Sequence, residues 1–178
     1  VYGRDHMQQV LINAYEEKSK GKKTLIFNAG IATSIKVYEL FKAHGIQNIR
    51  HLDSTFSSQE RKDVLKWFRS TPDAVLTSVG ILTTGFDEPS VESIILNIAT
   101  RSLTLYHQMI GRGSRVVPKK EHFSIIDLGN NALRLGYWQD YIDWKDVFIN
   151  PIKYIDRDYE RDIEERVYVM PDDIKQRF

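Results

Sequence analysis

Short apolar runs rich in β-branched residues alternate with helical patterns along the first 130 residues of the chain. The runs predict strands at residues 24–28, 48–52, 74–78, 91–97 and 122–127. Alternation of this kind is typical of a mostly parallel sheet with helices on both faces. Ligands of such sheets bind at the carboxyl ends of the strands, so the loops that follow the strands are where chemistry is expected.

Helical patterns fill the intervals between the strands. The first places Met7, Leu11 and Tyr15 on one face, and the second runs through residues 35–41 and stops at His44-Gly45. Ser57-x-x-Glu60 forms a capping-box pattern that predicts a helix start, and Ser102 is a candidate cap for a further helix. The sequence therefore predicts an α/β domain.

Composition fits one soluble globular domain. The chain has 178 residues, of which 42% are hydrophobic and 28% charged. No stretch approaches the roughly 20 apolar residues of a membrane span. Cysteine is absent, which excludes disulfides, thiolate catalysis and cysteine-rich zinc sites and is compatible with a reducing cytoplasm. The mildly basic body and acidic tail are weak indications of a polyanionic partner.

The pattern changes after Gly129, where aromatic and charged residues mix without clear periodicity. We interpret residues 129–178 as a C-terminal extension that packs on the domain formed by residues 1–128. Within it Trp138, Tyr141 and Trp144 recur at three-residue spacing. Such a stripe could stack single-stranded bases, but the acidic surroundings favour packing against the sheet.

Most self-contained hydrolytic chemistry is missing from the chain. No phosphate loop of the Gly-x-x-x-x-Gly-Lys-Ser/Thr type occurs, and residues 21–24 precede a strand where a phosphate loop would follow one. The five histidines show neither metal-ligand spacing nor a paired carboxylate pattern, and no Gly-x-Ser-x-Gly elbow occurs. No metal site is predicted.

Two loops carry the functional signal. Residues 83–89 read Thr-Thr-Gly-Phe-Asp-Glu-Pro, and residues 108–115 read Gln-Met-Ile-Gly-Arg-Gly-Ser-Arg. They resemble motifs V and VI of superfamily 2 helicases and translocases. Residues 24–28 resemble the strand of motif IV, and residues 57–69 resemble the helix after the next strand. The resemblance covers about residues 5–128, with the motifs in the family's order.

Within that superfamily the chain looks most like RadD-like DNA-repair helicases. Two segments carry this finer resemblance: Gly-Phe-Asp-x-Pro at residues 85–89, and the segment from Ile126 through Gly136. Leu128 and Leu135 stand where those proteins have histidines, so the segment departs from their pattern at two positions.

The resemblance implies a RecA-like three-layer fold and the role of the second of two motor domains. The first would hold the phosphate loop and the Mg²⁺-binding acidic motif, so ATP and Mg²⁺ would be bound mainly there. The implied partners are an N-terminal RecA-like domain of the same polypeptide and DNA, single-stranded or at a junction, with no membrane. The isolated chain would be an inactive monomer, and the location would be the cytoplasm of a bacterium or phage host, near the nucleoid.

The resemblance assigns catalytic roles at motif VI. Arg115 matches the arginine finger, Arg112 stands beside it, and Gln108 matches the residue that positions the γ-phosphate or the attacking water. Arginine suits this role because its guanidinium stays charged and offers a planar fork of donors to phosphate oxygens. The alternative is a helix end with solvated arginines.

Motif V supplies the implied nucleotide contacts. Asp87 resembles the carboxylate that accepts hydrogen bonds from the ribose hydroxyls, and Gly85 permits close approach of the backbone to the ligand. Alternatively, Asp87 only forms a turn before Pro89.

Phosphate contacts to nucleic acid are the last group of expected sites. Two motif V threonines match positions that hydrogen-bond a strand phosphate, and residues after the first two strands could offer donors there. These candidates are Thr83, Thr84, Asn28, Gly30, Ser54 and Thr55.

The sequence thus indicates the second motor domain of an ATP-dependent DNA helicase or translocase, with DNA repair as the expected process. Two alternatives stay open at this point: a non-enzymatic scaffold that keeps the helicase fold, and a domain of an RNA helicase. Phosphate contacts do not distinguish DNA from RNA because both backbones offer them.

Overall fold

Five parallel strands form the centre of the computed structural model, which describes residues 4–80, 82, 87–118 and 120–155. The strand order across the sheet is β2-β3-β1-β4-β5. In chain order the strands are β1 (Thr24–Asn28), β2 (Ile49–Leu52), β3 (Val75–Ser78), β4 (Ser93–Asn97) and β5 (Ser124–Asp127). Every pairing between neighbouring strands is parallel, as the sequence predicted.

Helices connect the strands and continue beyond the last one. They are α1 (Arg4–Lys18), α2 (Ile31–Ala43), α3 (Ser58–Ser70), α4 (Leu103–Gly111), α5 (Asn131–Leu135), α6 (Trp144–Ile149) and α7 (Ile152–Ile155). In the described part of the chain, none of them is long and apolar enough to cross a membrane.

The sheet separates two apolar cores. On one face Leu11 and Tyr15 of α1 and Phe41 of α2 pack on Ile26 of β1. The other face buries side chains of α3 and α4 against the alternate residues of the strands, among them Phe68 and Tyr106. Successive strand residues point to opposite faces, so β1 is buried on both sides. The arrangement is the predicted three-layer α/β fold.

The predicted helix starts of α3 and α4 are confirmed. The Ser57 hydroxyl accepts a hydrogen bond from the Glu60 amide at 3.3 Å, and the Glu60 carboxylate accepts one from the Ser57 amide at 2.8 Å. This capping box satisfies amides that have no partner inside the helix. Ser102 caps α4 through one hydrogen bond, which its hydroxyl accepts from the Leu105 amide.

Between Gly129 and residue 155, where the described part ends, the chain forms three short helices that the sequence pattern did not reveal. Leu135 is buried, and Trp138 contacts Phe123 edge-on at a ring distance of 5.8 Å. Trp144 is 47% exposed and Tyr141 is 91% exposed. Packing of the aromatic stripe is therefore wrong for Tyr141, because α6 begins only after it and no single helix carries all three rings. The division at residue 128 stays a prediction.

Candidate functional site

The arginines of the candidate site lie at the edge where the parallel strands begin. A Cβ atom at Gly113 would meet Ile94, near the start of β4, and Phe123, just before β5. The sequence argument expected chemistry at the opposite edge. The difference arises because α4 runs back between two parallel strands, so the end of α4 returns to the side where β5 begins.

Asp87, Arg112 and Arg115 form a group that we call the arginine cluster. Arg115 Nε lies 3.1 Å from Asp87 Oδ1, and both side chains are about half exposed or more, at 49% and 61%. Burial lowers the pKa of Arg112, the neighbouring charge of Arg115 lowers it further, and Asp87 opposes both. The two motif VI arginines and the motif V carboxylate therefore act on one another electrostatically.

The segment after Asp87 is held by hydrogen bonds and an ion pair. Glu88 accepts hydrogen bonds from the amide and hydroxyl of Ser90 and pairs with Arg69 at 3.5 Å. Lys120 bonds the Pro89 carbonyl and two carbonyls of the arginine loop, residues 112–117. Sequence reasoning missed the contacts of Arg69 and Lys120, because Glu88 and Pro89, with which they interact, belong to a different segment of the chain.

The arginine cluster borders an open depression of about 610 Å³. Its walls come from the end of motif V and from motif VI: Pro89, Gly111, Ser114, Arg115 and Val116. Gln108 is exposed on α4, opposite the face that buries Tyr106 and Met109. Of the arginine cluster, Arg115 lines the depression, and Asp87 is its ion-pair partner. The cluster has the donor and acceptor chemistry that suits a nucleotide, with carboxylate oxygens for hydroxyls and guanidinium forks for phosphates.

Three of the expected site residues lie outside the described residues. These are Thr83, Thr84 and Gly85. Immediately before them, Leu82 is buried in the core and Gly80 has a φ of +68°.

A second polar group lies at the opposite edge, where the strands end. There a continuous series of hydrogen bonds, which we call the polar chain, crosses four strands. Its members, in order, are Asn97, Asn28, Thr77, Ser34, His51, Asp53 and Thr55. Ser34, Thr77 and Asn28 are at most 3% exposed. Buried polar groups need hydrogen-bond partners, and the members of the polar chain provide them for one another.

From Asn97 to Asp53 the donors of the polar chain can all point in one direction, and Thr55 donates to Asp53 from the opposite end. The amide of Asn28 donates to Thr77, whose hydroxyl donates to Ser34, and Ser34 donates to His51 Nδ1. His51 Nε2 then donates to Asp53 at 2.7 Å. A neutral imidazole with its proton on Nε2 satisfies every member. The absence of a paired carboxylate pattern was thus a wrong inference for His51, which pairs with Asp53.

Ser34, His51 and Asp53 stand in the order of a hydrolytic triad, but access excludes that chemistry. Ser34 is fully buried, and its hydroxyl is shared between Thr77 and His51 at 2.8 Å each. A nucleophile must reach its substrate. Ser34, His51 and Asp53 therefore have a structural role at this edge of the sheet.

The phosphate-contact candidates at this edge differ in what they offer. The Asn28 side chain is engaged with Thr77 and Asn97, so only its backbone could serve. Thr55 directs both its amide and its hydroxyl to Asp53 Oδ1, at 2.7 and 2.6 Å. Gly30 is the N-cap of α2, and Ser54 is exposed.

Asp53 is charged at neutral pH. Burial alone would raise its pKa, but the hydrogen bonds from Thr55 and His51 outweigh burial and hold the pKa below its usual value. A depressed carboxyl pKa stabilises the fold above the unfolded-state pKa, and that contribution is lost as the pH falls through the folded-state pKa. The carboxylate also competes with any phosphate for the donors of Thr55.

We expect Ser34→Ala to destabilise the 178-residue chain by about 1–3 kcal/mol, because it leaves buried partners at Thr77 and His51 unsatisfied. Thermal unfolding measures this, and Thr33→Ala, an exposed change on the same helix, is the control and should stay within about 0.5 kcal/mol. Equal unfolding free energies for the two variants would contradict a stabilising role of the polar chain.

Comparison with known proteins shows which family the chain belongs to. Residues 5–117 match the family model described as the helicase conserved C-terminal domain. The chain belongs to this family. The match spans helices α1 to α4, strands β1 to β4, the arginine cluster and the polar chain. It confirms the resemblance to the C-terminal domain of superfamily 2 helicases.

Curated relatives of this helicase C-terminal domain come from yeast and a phage. IRC3 of Saccharomyces cerevisiae, provisionally named an ATP-dependent helicase, is 32% identical over 160 residues, which cover 84% of this chain and 23% of that protein. A 51.5 kDa protein of a Lactococcus phage is 29% identical over 78% of this chain and 30% of its own length. The helicase C-terminal domain thus spans about a quarter of the length of these relatives.

Solved structures confirm the fold of the helicase C-terminal domain. The C-terminal domain of the DEAD-box protein Dbp5 superposes with a TM-score of 0.63 at 21% identity, covering 85% of this chain and 92% of that one. The RecA-like fold predicted from the sequence is therefore correct. The roles of the individual site residues and the RadD-like subfamily stay predictions.

Proposed function

We propose that this helicase C-terminal domain is the second motor domain of an ATP-dependent DNA helicase or translocase. In this role Arg115 stabilises charge on the γ-phosphate, Arg112 assists it, Gln108 orients the phosphate or the water, and Asp87 accepts hydrogen bonds from the ribose. The observation that carries the proposal is the arginine cluster, in which Arg115 pairs with Asp87 beside an open depression.

The exposed ion pair suits a site that must exchange partners. Pairs of this exposure contribute only about 0–1 kcal/mol, so a phosphate can displace Asp87 from Arg115 at little cost. The released carboxylate then becomes available to hydroxyl donors. Binding of nucleotide would in this way break the ion pair between Arg115 and Asp87.

Mg²⁺ and most of the contacts to ATP belong, in this proposal, to an N-terminal motor domain of the same polypeptide. The chain itself contributes cations and one carboxylate at the arginine cluster. It has no lysine in a phosphate loop to hold the β- and γ-phosphates.

Nucleic acid would bind at the opposite edge, with Ser54 and the backbone near Asn28 and Gly30 as phosphate contacts. The resemblance to motif V assigns the same role to Thr83 and Thr84. The residues from the end of β3 to the start of β4 join that edge to the arginine cluster. We propose DNA as the strand and repair as the process, from the resemblance to RadD-like helicases. RNA-stimulated activity without DNA stimulation would favour the RNA helicase alternative.

We expect the purified 178-residue chain to show no ATPase activity, with or without single-stranded DNA, because the groups that bind MgATP are missing. The longer protein that contains this domain is expected to hydrolyse ATP and to do so faster with DNA. Phosphate release assays on both proteins measure this. Robust DNA-stimulated hydrolysis by the 178-residue chain would contradict the proposal, and a longer protein without ATPase activity would favour the scaffold alternative.

A further inference from the structure

Lys120 makes three hydrogen bonds to backbone carbonyls. Its Nζ lies 2.6 Å from Gly113 O, 2.9 Å from Arg115 O and 3.0 Å from Pro89 O. An ammonium group has three donors, so these carbonyls use all of them. Lys120 is partly buried and its Nζ lies 5.7 Å from the centre of the Phe123 ring.

The three carbonyls belong to the two segments that carry the arginine cluster. Gly113 and Arg115 lie in the arginine loop, and Pro89 follows Asp87 by two residues. Lys120 therefore ties together both backbones that present the Asp87–Arg115 ion pair. Hydrogen bonds from a charged donor are about twice as strong as neutral ones, and burial strengthens them further.

We propose that Lys120 is a positioning residue that fixes the arginine loop, and thereby sets the direction in which Arg115 points toward the nucleotide. Helix α4 ends at Gly111, four residues before Arg115, so the helix does not determine the position of Arg115. Lys120 holds the carbonyl of Arg115 itself, and thus constrains the backbone from which the guanidinium extends. The inference rests on the proposed role of Arg115.

A direct role of Lys120 in binding phosphate is disfavoured by the same contacts. All three of its donors are directed at carbonyl oxygens, so a phosphate would have to displace one of them. Burial lowers the pKa of Lys120, with Glu92 opposing this, which also agrees with a group enclosed by protein. Lys120 acts through the loop.

The first test is hydrogen exchange in the 178-residue chain. Lys120→Met keeps the length of the side chain and removes all three donors. The amides of Arg112 and Gly113 donate to the Met109 and Ile110 carbonyls. We expect their exchange to become about tenfold faster or more, the factor that a lost charged hydrogen bond implies. Strand β4 should exchange as before. Lys66→Met, a charge removal at an exposed position of α3, is the matched control. Unchanged exchange of the Arg112 and Gly113 amides, or an equal increase throughout β4, would overturn the proposal.

The second test uses the longer enzyme and separates positioning from general stability. A displacement of about 1 Å at a catalytic group costs on the order of 10²-fold, so kcat of Lys120→Met should fall roughly 10- to 100-fold. KM for ATP should change less than about threefold, because Arg115 acts mainly in the transition state. Lys120→Arg should rescue little, since a planar guanidinium does not match three converging carbonyls.

The double variant of Lys120→Met and Arg115→Ala gives the decisive test. If Lys120 acts through Arg115, adding Lys120→Met to Arg115→Ala should cost less than about threefold in kcat, since interacting residues are not additive. The same fold-loss in both backgrounds would overturn the inference. Where Lys120→Met does not fold, Lys120→Arg is judged by the same criteria. An Arg115→Ala enzyme with normal kcat would instead contradict the proposed function, while the exchange experiment would still decide whether Lys120 fixes the loop.

Discussion

Arg115→Ala in the longer enzyme is expected to lower kcat by a factor of about 10³ to 10⁵ while KM for ATP changes little. The guanidinium contact strengthens as negative charge develops on the γ-phosphate oxygens, so its loss affects the transition state more than the bound substrate. Arg115→Lys should recover little activity, because an ammonium lacks the bidentate fork. Steady-state kinetics with saturating ATP measure both parameters.

The same variant is expected to leave stability almost unchanged. Arg115 is 49% exposed, and its ion pair among the described residues is with an exposed carboxylate, so removing it should alter the unfolding free energy by less than about 1 kcal/mol. A large loss of kcat without a change in Tm then identifies a catalytic effect. Arg101→Ala, at another exposed arginine of the domain, is the control and is assayed without nucleic acid.

Asp87→Ala provides the contrast within the cluster. Its expected effect is a higher KM with a smaller change in kcat, because a ribose contact contributes to ground state and transition state alike. If Arg115→Ala retained kcat within a few-fold of the wild type, the finger assignment would be wrong. The pairing with Asp87 would then be a surface ion pair and no more.

Local patterns were sufficient for the strands and the major helices. The capping box at Ser57 and the cap at Ser102 appear where the sequence indicated, because a cap depends only on residues within one turn. The short helices α5 to α7 were missed, since segments of four to six residues are too short to show a helical period.

Contacts between distant segments were not predictable in the same way. The hydrogen bond between Ser34 and Thr77 joins residues 43 positions apart, and nothing in either local pattern marks it. Lys120 was missed for the same reason, as its three carbonyl partners come from two loops. The motif VI arginines were found because their spacing lies within a single segment. The edge of the sheet at which they lie was not predicted, because it depends on the direction in which α4 runs.

Gly129→Ala is expected to destabilise the 178-residue chain by about 3–5 kcal/mol, at or beyond the upper end of ordinary substitutions. A Cβ atom at this position would lie 2.0 Å from the carbonyl oxygen of Ile98 and 2.5 Å from its carbonyl carbon. Neither atom belongs to a flexible side chain. The backbone itself would have to move.

That movement is opposed by hydrogen bonds on both sides of Gly129. The amides of Leu128 and Gly129 both donate to Leu96 O, at 3.1 and 3.2 Å. The Asn131 side chain donates to Ile98 O at 2.8 Å, and accepts from the Thr100 amide. Displacing the chain at Gly129 would therefore break the connection between the end of β4 and the start of the C-terminal extension.

Two other glycines provide graded controls for the same measurement. At Gly113 the added Cβ would meet side-chain atoms of Phe123 at 2.5 Å and Ile94 at 2.9 Å, which can shift at a cost of about 1–3 kcal/mol. At Gly111 it would meet nothing within 4 Å, and alanine should be neutral or stabilise the end of α4 by about 0.5–1 kcal/mol. Each kcal/mol shifts the Tm of a chain of this size by roughly 2–4 °C.

The order of the three Tm values tests the geometry more strictly than any single variant. We expect Gly129→Ala to melt lowest, Gly113→Ala to lie between it and the wild type, and Gly111→Ala to equal or exceed the wild type. A Gly129→Ala chain that melts within 2 °C or so of the wild type would contradict the close approach to Ile98. The segment from Ile126 through Gly136 would then lack the backbone contact that joins it to the end of β4.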